Sequence, residues 1–487
     1  MNQFTGGRNL IKTFMKYAPV QVFNAISVFF LISIQTKFLN PAEYGLLAIA
    51  FLFMEIIRTV CSQWLCTSML RLYPAASEQC RTEILGNVIF LTLLSLIASS
   101  LILAVVLLFY SLFEWSLFIS LSFLLIAKSL FNVNIEISRL NEKYKIYSSA
   151  NLFQSVTSVV FTLVILSLSQ NVISAFSALA FSYALALIFV KFEIIPKLSF
   201  AHVKSIIIYG FPLMVSGSIA LLYTRGDRLF MPKYLTMSEI GIYAAQANLL
   251  SGVIGLIFMI VALPLYPNLV KLTNDYVELF KIHEMYLKFL LFISLPCLVA
   301  ICMLHFEISS IFFGDEYISS SPTLFIILAI SYFLVNLRQH YADHGLQFLL
   351  KTNYLIPISC ISLFISFFSL PYMLSGYGTN GAALTLLLTS LIAIILSLTT
   401  AFKFGYRFYL DFDVVKIILS SVVMGFFIFY LKSYFSEWSG FFSFITILGL
   451  SFSIYLMSCL VFNVFNARER LPKNFKKLFA SLEDRND

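Results

Sequence analysis

Glu55 and Arg58 stand three residues apart near the middle of a long apolar run, about 45–66. On a helix that spacing places both side chains on one face, within pairing distance. Lys128 sits in the middle of a second run, about 115–137. Arg225, Asp227 and Arg228 close a third run, and Arg338, His340, Asp343 and His344 close a fourth. A charge at the centre of a lipid-facing helix costs roughly 2.5–3.5 kcal/mol on insertion scales, so such side chains normally turn into a bundle interior or a wet cavity. Cations held there bind anions, and an arginine grips a phosphate bidentately. Acids beside them hold those cations or exchange protons during a cycle.

Each group also has a plain structural reading. Glu55 and Arg58 are either an ion pair that locks a helix to its neighbours, or a phosphate-binding arginine with a carboxylate that holds it or titrates. Lys128 either snorkels on its long stem or faces a cavity; from mid-span the interface is far. Arg225, Asp227 and Arg228 form either a loop or inter-lobe salt bridge or an outer gate, with Asp227 as a switchable partner. Arg338 is a fifth candidate cavity cation. His340 and His344 have the i, i+4 spacing of a metal pair, but the glutamate of a zincin is missing and no third ligand is evident. No metal or cofactor is expected, and a proton or sodium counter-ion would use Glu55, Asp227 or Asp343.

The elements that carry these residues follow from composition. Of 487 residues, 60% are hydrophobic and 11% charged, against about 25% charged in ordinary soluble domains. The apolar residues come in runs of roughly 20, the length that spans a bilayer core. Barrel strands would alternate in polarity over about ten residues. The chain is therefore expected to be an all-α polytopic membrane protein of about fourteen transmembrane helices. Their expected bounds are about 18–38, 45–66, 84–110, 115–137, 149–168, 172–191, 206–226, 241–264, 287–305, 323–342, 353–372, 381–402, 413–431 and 441–463. No linker is long enough for a folded catalytic domain, which needs about 50 residues. The seven cysteines contain no CxxC pair, which argues against a disulfide framework or a thiolate metal site.

Charge sets the orientation. With the N-terminus in the cytoplasm, the outer loops hold only Lys37, Arg225, Arg228, Lys233 and Lys432, and the spans hold Arg58, Lys128 and Arg338. The rest of the 32 Lys and Arg residues fall on the cytoplasmic side. This bias accounts for the net charge of +8 without a nucleic-acid partner, and the basic tail suits contact with anionic lipid.

A pattern recurs. Residues 37–46, KFLNPAEYGL, match residues 233–242, KYLTMSEIGI, at an offset of 196. An offset containing six spans preserves sidedness, so the halves are parallel repeats. The expected organisation is an N-lobe at 1–200, a C-lobe at 201–405, two added helices at 406–465 and a basic cytoplasmic tail at 466–487. The turn residues repeat and the membrane charges do not: Glu55 and Arg58 align with Ser251 and Ile254.

Five local patterns carry a family resemblance: Asn40-Pro41-Ala42-Glu43-Tyr44-Gly45; Tyr209-Gly210-Phe211-Pro212; Gly226-Asp227-Arg228 followed by Ser238-Glu239-Ile240-Gly241-Ile242-Tyr243; Phe313-Gly314-Asp315-Glu316-Tyr317; and Gly378-Thr379-Asn380-Gly381-Ala382-Ala383. In order and spacing they resemble the polysaccharide-export branch of the multidrug/oligosaccharidyl-lipid/polysaccharide exporter (MOP) superfamily, and within it the O-antigen (Wzx-type) flippases. The resemblance implies two six-helix lobes in a V around a central cavity. It implies a protein of the bacterial inner (cytoplasmic) membrane that flips an undecaprenyl-pyrophosphate oligosaccharide and has membrane lipids and polysaccharide polymerase machinery as further partners. The charge bias places both termini in the cytoplasm, and with nothing in the sequence calling for an oligomer a monomer is expected. The rivals are a multidrug or organic-cation antiporter, a lipid II or teichoic-type flippase, and a membrane glycosyl polymerase. The antiporter should favour unpaired acids, and the polymerase usually needs a large outer loop.

Overall fold

The computed structural model describes Val20 and residues 23–190, 199–273, 275–318, 321–435 and 440–468. The basic N-terminal cations Arg8, Lys12 and Lys16, and the basic tail from residue 469, lie outside the described residues. Among those described, the secondary structure is helical throughout, with no strand.

The apolar runs became helices, several of them longer than the run. The second extends over Pro41–Pro74 against an expected 45–66, and the ninth begins at Tyr276 against an expected 287, because helix continues through polar turns outside the apolar stretch. In chain order the spans are α1 (Phe23–Phe38), α2 (Pro41–Pro74), α3 (Cys80–Phe109), α4 (Trp115–Leu140), α5 (Tyr144–Leu168), α6 (Val172–Phe189), α7 (His202–Lys233), α8 (Met237–Val270), α9 (Tyr276–Met303), α10 (Thr323–Phe348), a 52-residue stretch Thr352–Lys403, then α13 (Phe412–Tyr434) and α14 (Gly440–Val461). Each of the fourteen expected spans falls on one of these. Twelve are long and apolar enough to cross a membrane, which makes this a multi-pass membrane protein. The expected break between the eleventh and twelfth spans is a kink inside continuous helix. Gly378 takes φ +57° and divides the stretch into α11 before it and α12 after it. With ψ at −136°, this is a region essentially reserved for glycine, and it costs a side-chain-bearing residue about 1–3 kcal/mol. Gly378→Ala should lower the stability of the detergent-solubilised protein by about that much, read as a reduced thermal midpoint.

The helix starts are locally encoded. Asn40 caps α2 by accepting from the Glu43 amide at 2.9 Å, with Pro41 in the first turn. At the matching position of the second copy, Thr236 and Glu239 form a capping box. The Glu239 carboxylate accepts from the Thr236 amide at 2.8 Å, and Thr236 Oγ1 accepts from the Glu239 amide at 3.3 Å. The repeated glutamates thus have different tasks, because Glu43 reaches away from its own helix to accept from the Val172 amide at the start of α6, 2.8 Å.

The chain forms two compact units. The first contains Met1–Leu249, Phe312–Tyr317 and Leu363–Ala382. In it the short segment Phe312–Tyr317 is tied to the end of α1, with Tyr317 Oη donating to the Leu39 carbonyl at 2.8 Å. The second contains Leu250–Ile311, Ile318–Ser362 and Ala383–Asp487. Its core packs α9 against α13 and α14, around Leu304, Met424, Ile428 and Tyr455.

Within the first unit the two copies of the repeated turn meet. A Cβ on Gly45 would lie 2.0 Å from the Met237 carbonyl oxygen, and one on Gly241 would lie 1.8 Å from the Pro41 carbonyl oxygen. Pro41 and Met237 are equivalent at the repeat offset, as are Gly45 and Gly241. The contact is reciprocal, as at a local twofold. Glycine is required at both positions because backbone meets backbone.

Candidate functional site

The first unit holds a three-membered charge cluster. Glu55 Oε2 accepts from Arg58 Nη2 at 2.9 Å and Nε at 3.2 Å. Its other oxygen, Oε1, accepts from Lys128 Nζ at 2.7 Å. Lys128 also lies over the Phe51 ring, 5.0 Å from its centroid, and 5.9 Å from that of Tyr183. These aromatic faces favour a cation. The side chains are only 11–16% exposed. Two cations share one carboxylate, so the cluster carries one net positive charge.

A local backbone feature completes it. Helix α2 passes through a π-helical turn at Thr59–Gln63. In such a turn the backbone bonds run i→i+5, which brings residue i+5 over residue i. Gln63 is five residues beyond Arg58 and its Oε1 accepts from Arg58 Nη1. In a regular α-helix those two side chains would point apart.

The second unit repeats the device. Helix α10 has a π-helical turn at Arg338–Ala342. Arg338 Nε donates to Asp343 Oδ1, again five residues on, at 3.3 Å. Arg338 Nη2 donates to Ser359 Oγ at 2.9 Å, and Ser397 Oγ donates to Asp343 Oδ1. Arg338 is thereby pinned among α10, α11 and α12, at 6% exposure.

Arg225, Asp227 and Arg228 lie where α7 passes from α-helix into 3-10 turns. Asp227 accepts from the Tyr243 hydroxyl and from the Arg228 amide, the latter at 2.9 Å. The Arg228 guanidinium is buried and donates through Nη2 to Asn248 Oδ1 at 2.9 Å. Asn248 Nδ2 in turn donates to Tyr44 Oη at 3.4 Å. Arg228 Nε has no hydrogen-bond partner among the described residues. Arg225 is half-buried.

Glu55, Arg58 and Lys128 therefore come together, as do Arg338 and Asp343, while Asp227 and Arg228 are held by neutral partners from α8. Gln63, Asn248, Ser359 and Ser397 join these sites without any motif that marks them in the sequence. The i+5 pairings were invisible to a search at α-helical spacings. A polar residue inside an apolar run was the one available signal, and Gln63 and Asn248 both carry it.

The second unit also contains a cleft of about 610 Å³ between α8 and α10. It is lined by Gly255, Met259, Ala262, Leu263 and Tyr266 on one side, and by Asn336, Gln339, His340, His344 and Gln347 on the other. Arg338 and Asp343, the charged residues of that stretch of α10, are not among the lining residues. His340 stacks on Phe258, and His344 packs against Tyr266. Among the described residues no three metal-ligating side chains gather.

Comparison with known proteins gives the context. The family model described as "Polysaccharide biosynthesis protein" matches residues 34–322. The fold is shared with a lipid II flippase, MurJ, solved in an inward closed conformation, at a TM-score of 0.72 and 17% identity over 92% of this chain and 98% of that one. It is shared also with an inward-facing multidrug resistance MATE family transporter of the MOP superfamily, at a TM-score of 0.54 and 15% identity over 78% of this chain and 94% of that one. A search of curated proteins finds no sequence match.

Proposed function

Because the chain belongs to the polysaccharide biosynthesis protein family, on a fold shared with MOP-superfamily flippases and transporters, we propose that it flips a polyprenyl-pyrophosphate-linked oligosaccharide across the bacterial cytoplasmic membrane by alternating access. The observation that carries this reading is the Glu55–Arg58–Lys128 cluster. A pyrophosphate is an anion with several acceptor oxygens, and the cluster offers two buried cations for one carboxylate. Buried, unpaired cations are costly, so Glu55 acts as the placeholder that keeps Arg58 and Lys128 paired between cargoes. An arriving pyrophosphate takes over their N–H donors, and its departure returns them to Glu55. While cargo is bound, the carboxylate released by Arg58 and Lys128 is open to a small cation, and uptake of a proton or a sodium ion there would couple loading to that ion's gradient. The unpartnered Arg228 Nε–H lies with Asn248 and Tyr44 near the start of α2, away from the cluster, and serves the headgroup at another stage of its passage. In this reading both termini are cytoplasmic, the protein works as a monomer, and the cargo passes to polysaccharide polymerase machinery.

The organic-cation rival calls for acids free to receive a cation. Glu55 and Asp343 are each already paired with one, and Asp227 is occupied by the Tyr243 hydroxyl and the Arg228 amide, which favours an anionic cargo.

A charge-assisted hydrogen bond contributes about 1.5–3 kcal/mol, so Arg58→Gln should slow translocation roughly 10- to 150-fold. The measurement is flipping of a fluorescent undecaprenyl-pyrophosphate oligosaccharide in proteoliposomes. Lys128→Gln should slow it comparably. Wild-type rates in both variants would sink the assignment of the cluster. Transport of organic cations with no lipid flipping would sink the flippase reading itself.

A further inference from the structure

We infer that the cleft between α8 and α10 is a subsite for the uncharged sugars of the cargo, separate from the cations that take its pyrophosphate. This rests on the flippase reading and assigns a second part of the same cargo.

The chemistry of the lining carries the inference. Asn336, Gln339, His340, His344 and Gln347 fall at helical spacing on one face of α10, inside a membrane span. Polar side chains in a membrane span are expensive to keep and are retained where they have partners or line a wet cavity. Here much of the polar capacity is unspent. Gln339 is exposed in the second half of the span. Its amide makes no hydrogen bond among the described residues, and neither does the imidazole of His340. His344 is 3% exposed, and its Nδ1 has no hydrogen-bond partner among the described residues. Asn336 donates its Nδ2 to the Tyr332 carbonyl at 2.8 Å, which leaves Oδ1 as an acceptor. Gln347 accepts from Tyr266 Oη at 2.6 Å, which leaves its NH₂ as a donor.

The lining thus presents amides and imidazoles, each both donor and acceptor, and a phenol. It has neither a carboxylate nor a guanidinium, because Arg338 and Asp343 are turned to Ser359 and Ser397. An anion or an organic cation would find no counter-charge there. Sugar hydroxyls and acetamido groups need paired donors and acceptors, which carboxamides supply. The opposite wall, Gly255, Met259, Ala262 and Leu263, is apolar and suits the C–H face of a pyranose. The volume, about 610 Å³, is within the range of small-molecule sites.

The test compares two lipids on one protein: bare undecaprenyl pyrophosphate, and the same lipid carrying a neutral hexose–N-acetylhexosamine trisaccharide. Binding to the detergent-solubilised full chain is followed by native mass spectrometry. Wild type should bind the glycosylated lipid more tightly. The double variant Gln339→Ala/His340→Ala removes two side chains that make no hydrogen bond among the described residues and loses only the stacking of His340 on Phe258, so the fold should survive. It should weaken the glycosylated lipid at least about tenfold and leave the bare lipid unchanged. Arg58→Gln should weaken both lipids alike. Equal weakening of both lipids by the double variant, or of neither, would overturn the subsite, as would equal affinity of wild type for the two lipids. If wild type binds neither lipid, the flippase reading fails together with the subsite.

Discussion

Glu55→Gln is expected to destabilise the protein by roughly 3 kcal/mol, the scale for removing one partner of a buried ion pair. The neutral amide leaves Arg58 and Lys128 facing each other across the position where their shared carboxylate stood. Thermal unfolding in detergent should show the loss directly. A compensating change makes the experiment specific. Glu55→Gln combined with Lys128→Met removes one cation along with the anion, keeps the charge of the cluster at its original +1, and should regain most of the lost stability. The positive coupling between the two positions is the expected signature of a direct contact. The double variant should still fail to transport, because the cargo has lost a cation. Should Glu55→Gln melt with wild type, the carboxylate does not hold the cluster. Should the double variant transport normally, the cluster is scaffold and the cations are not where the pyrophosphate sits.

The second large effect concerns the reciprocal turn. Gly45→Ala puts a methyl 2.0 Å from the Met237 carbonyl oxygen, and Gly241→Ala puts one 1.8 Å from the Pro41 carbonyl oxygen. Overpacking ordinarily costs about 1–3 kcal/mol. Here the obstacle is backbone, which cannot rotate aside as a side chain can, so each variant should cost about 3 kcal/mol or more. The first turns of α2 and α8 must separate. Once one alanine has forced them apart, the second meets less resistance, so the double variant should cost less than the sum of the singles. Gly376→Ala is the control, because nothing lies within 4 Å of the added Cβ. It should be neutral, or stabilising by up to about 1 kcal/mol through helix propensity. Folded yield on size-exclusion chromatography and the thermal midpoint report all four. Additive single and double effects would show that the two glycines do not share one contact.

Much of the fold was legible in the sequence because the signals are local. Helix starts at Asn40, Thr236 and Asp275 carry capping residues whose side chains meet amides two or three residues on, but the expected spans began later, at about 45, 241 and 287, because they followed the apolar runs and not the polar first turns. The pairing of Glu55 with Arg58 was legible at i, i+3. Lys128 as their third partner was not, since it comes from another helix 73 residues along the chain from Glu55. The Arg58–Gln63 and Arg338–Asp343 contacts escaped for a different reason. Each depends on a π-helical turn, and no residue type in these stretches announces one. Gly45 and Gly241 were visible as a repeat, but not as each other's neighbours.

By itself the sequence determined the class, the number and approximate ends of the spans, the family, and the presence of charges that must avoid lipid. Those are properties of run length, composition and the cost of burying charge, and they hold before any helix meets another. Only the tertiary structure decided which way each helix turns. In a water-soluble protein an apolar stripe announces the buried face. Most of the circumference of these helices is apolar, since lipid and core are alike apolar, so hydrophobic periodicity says little and packing chooses. Packing brought Lys128 to Glu55, turned Arg338 towards Ser359 and away from the cleft, and left the amide face of α10 lining that cleft.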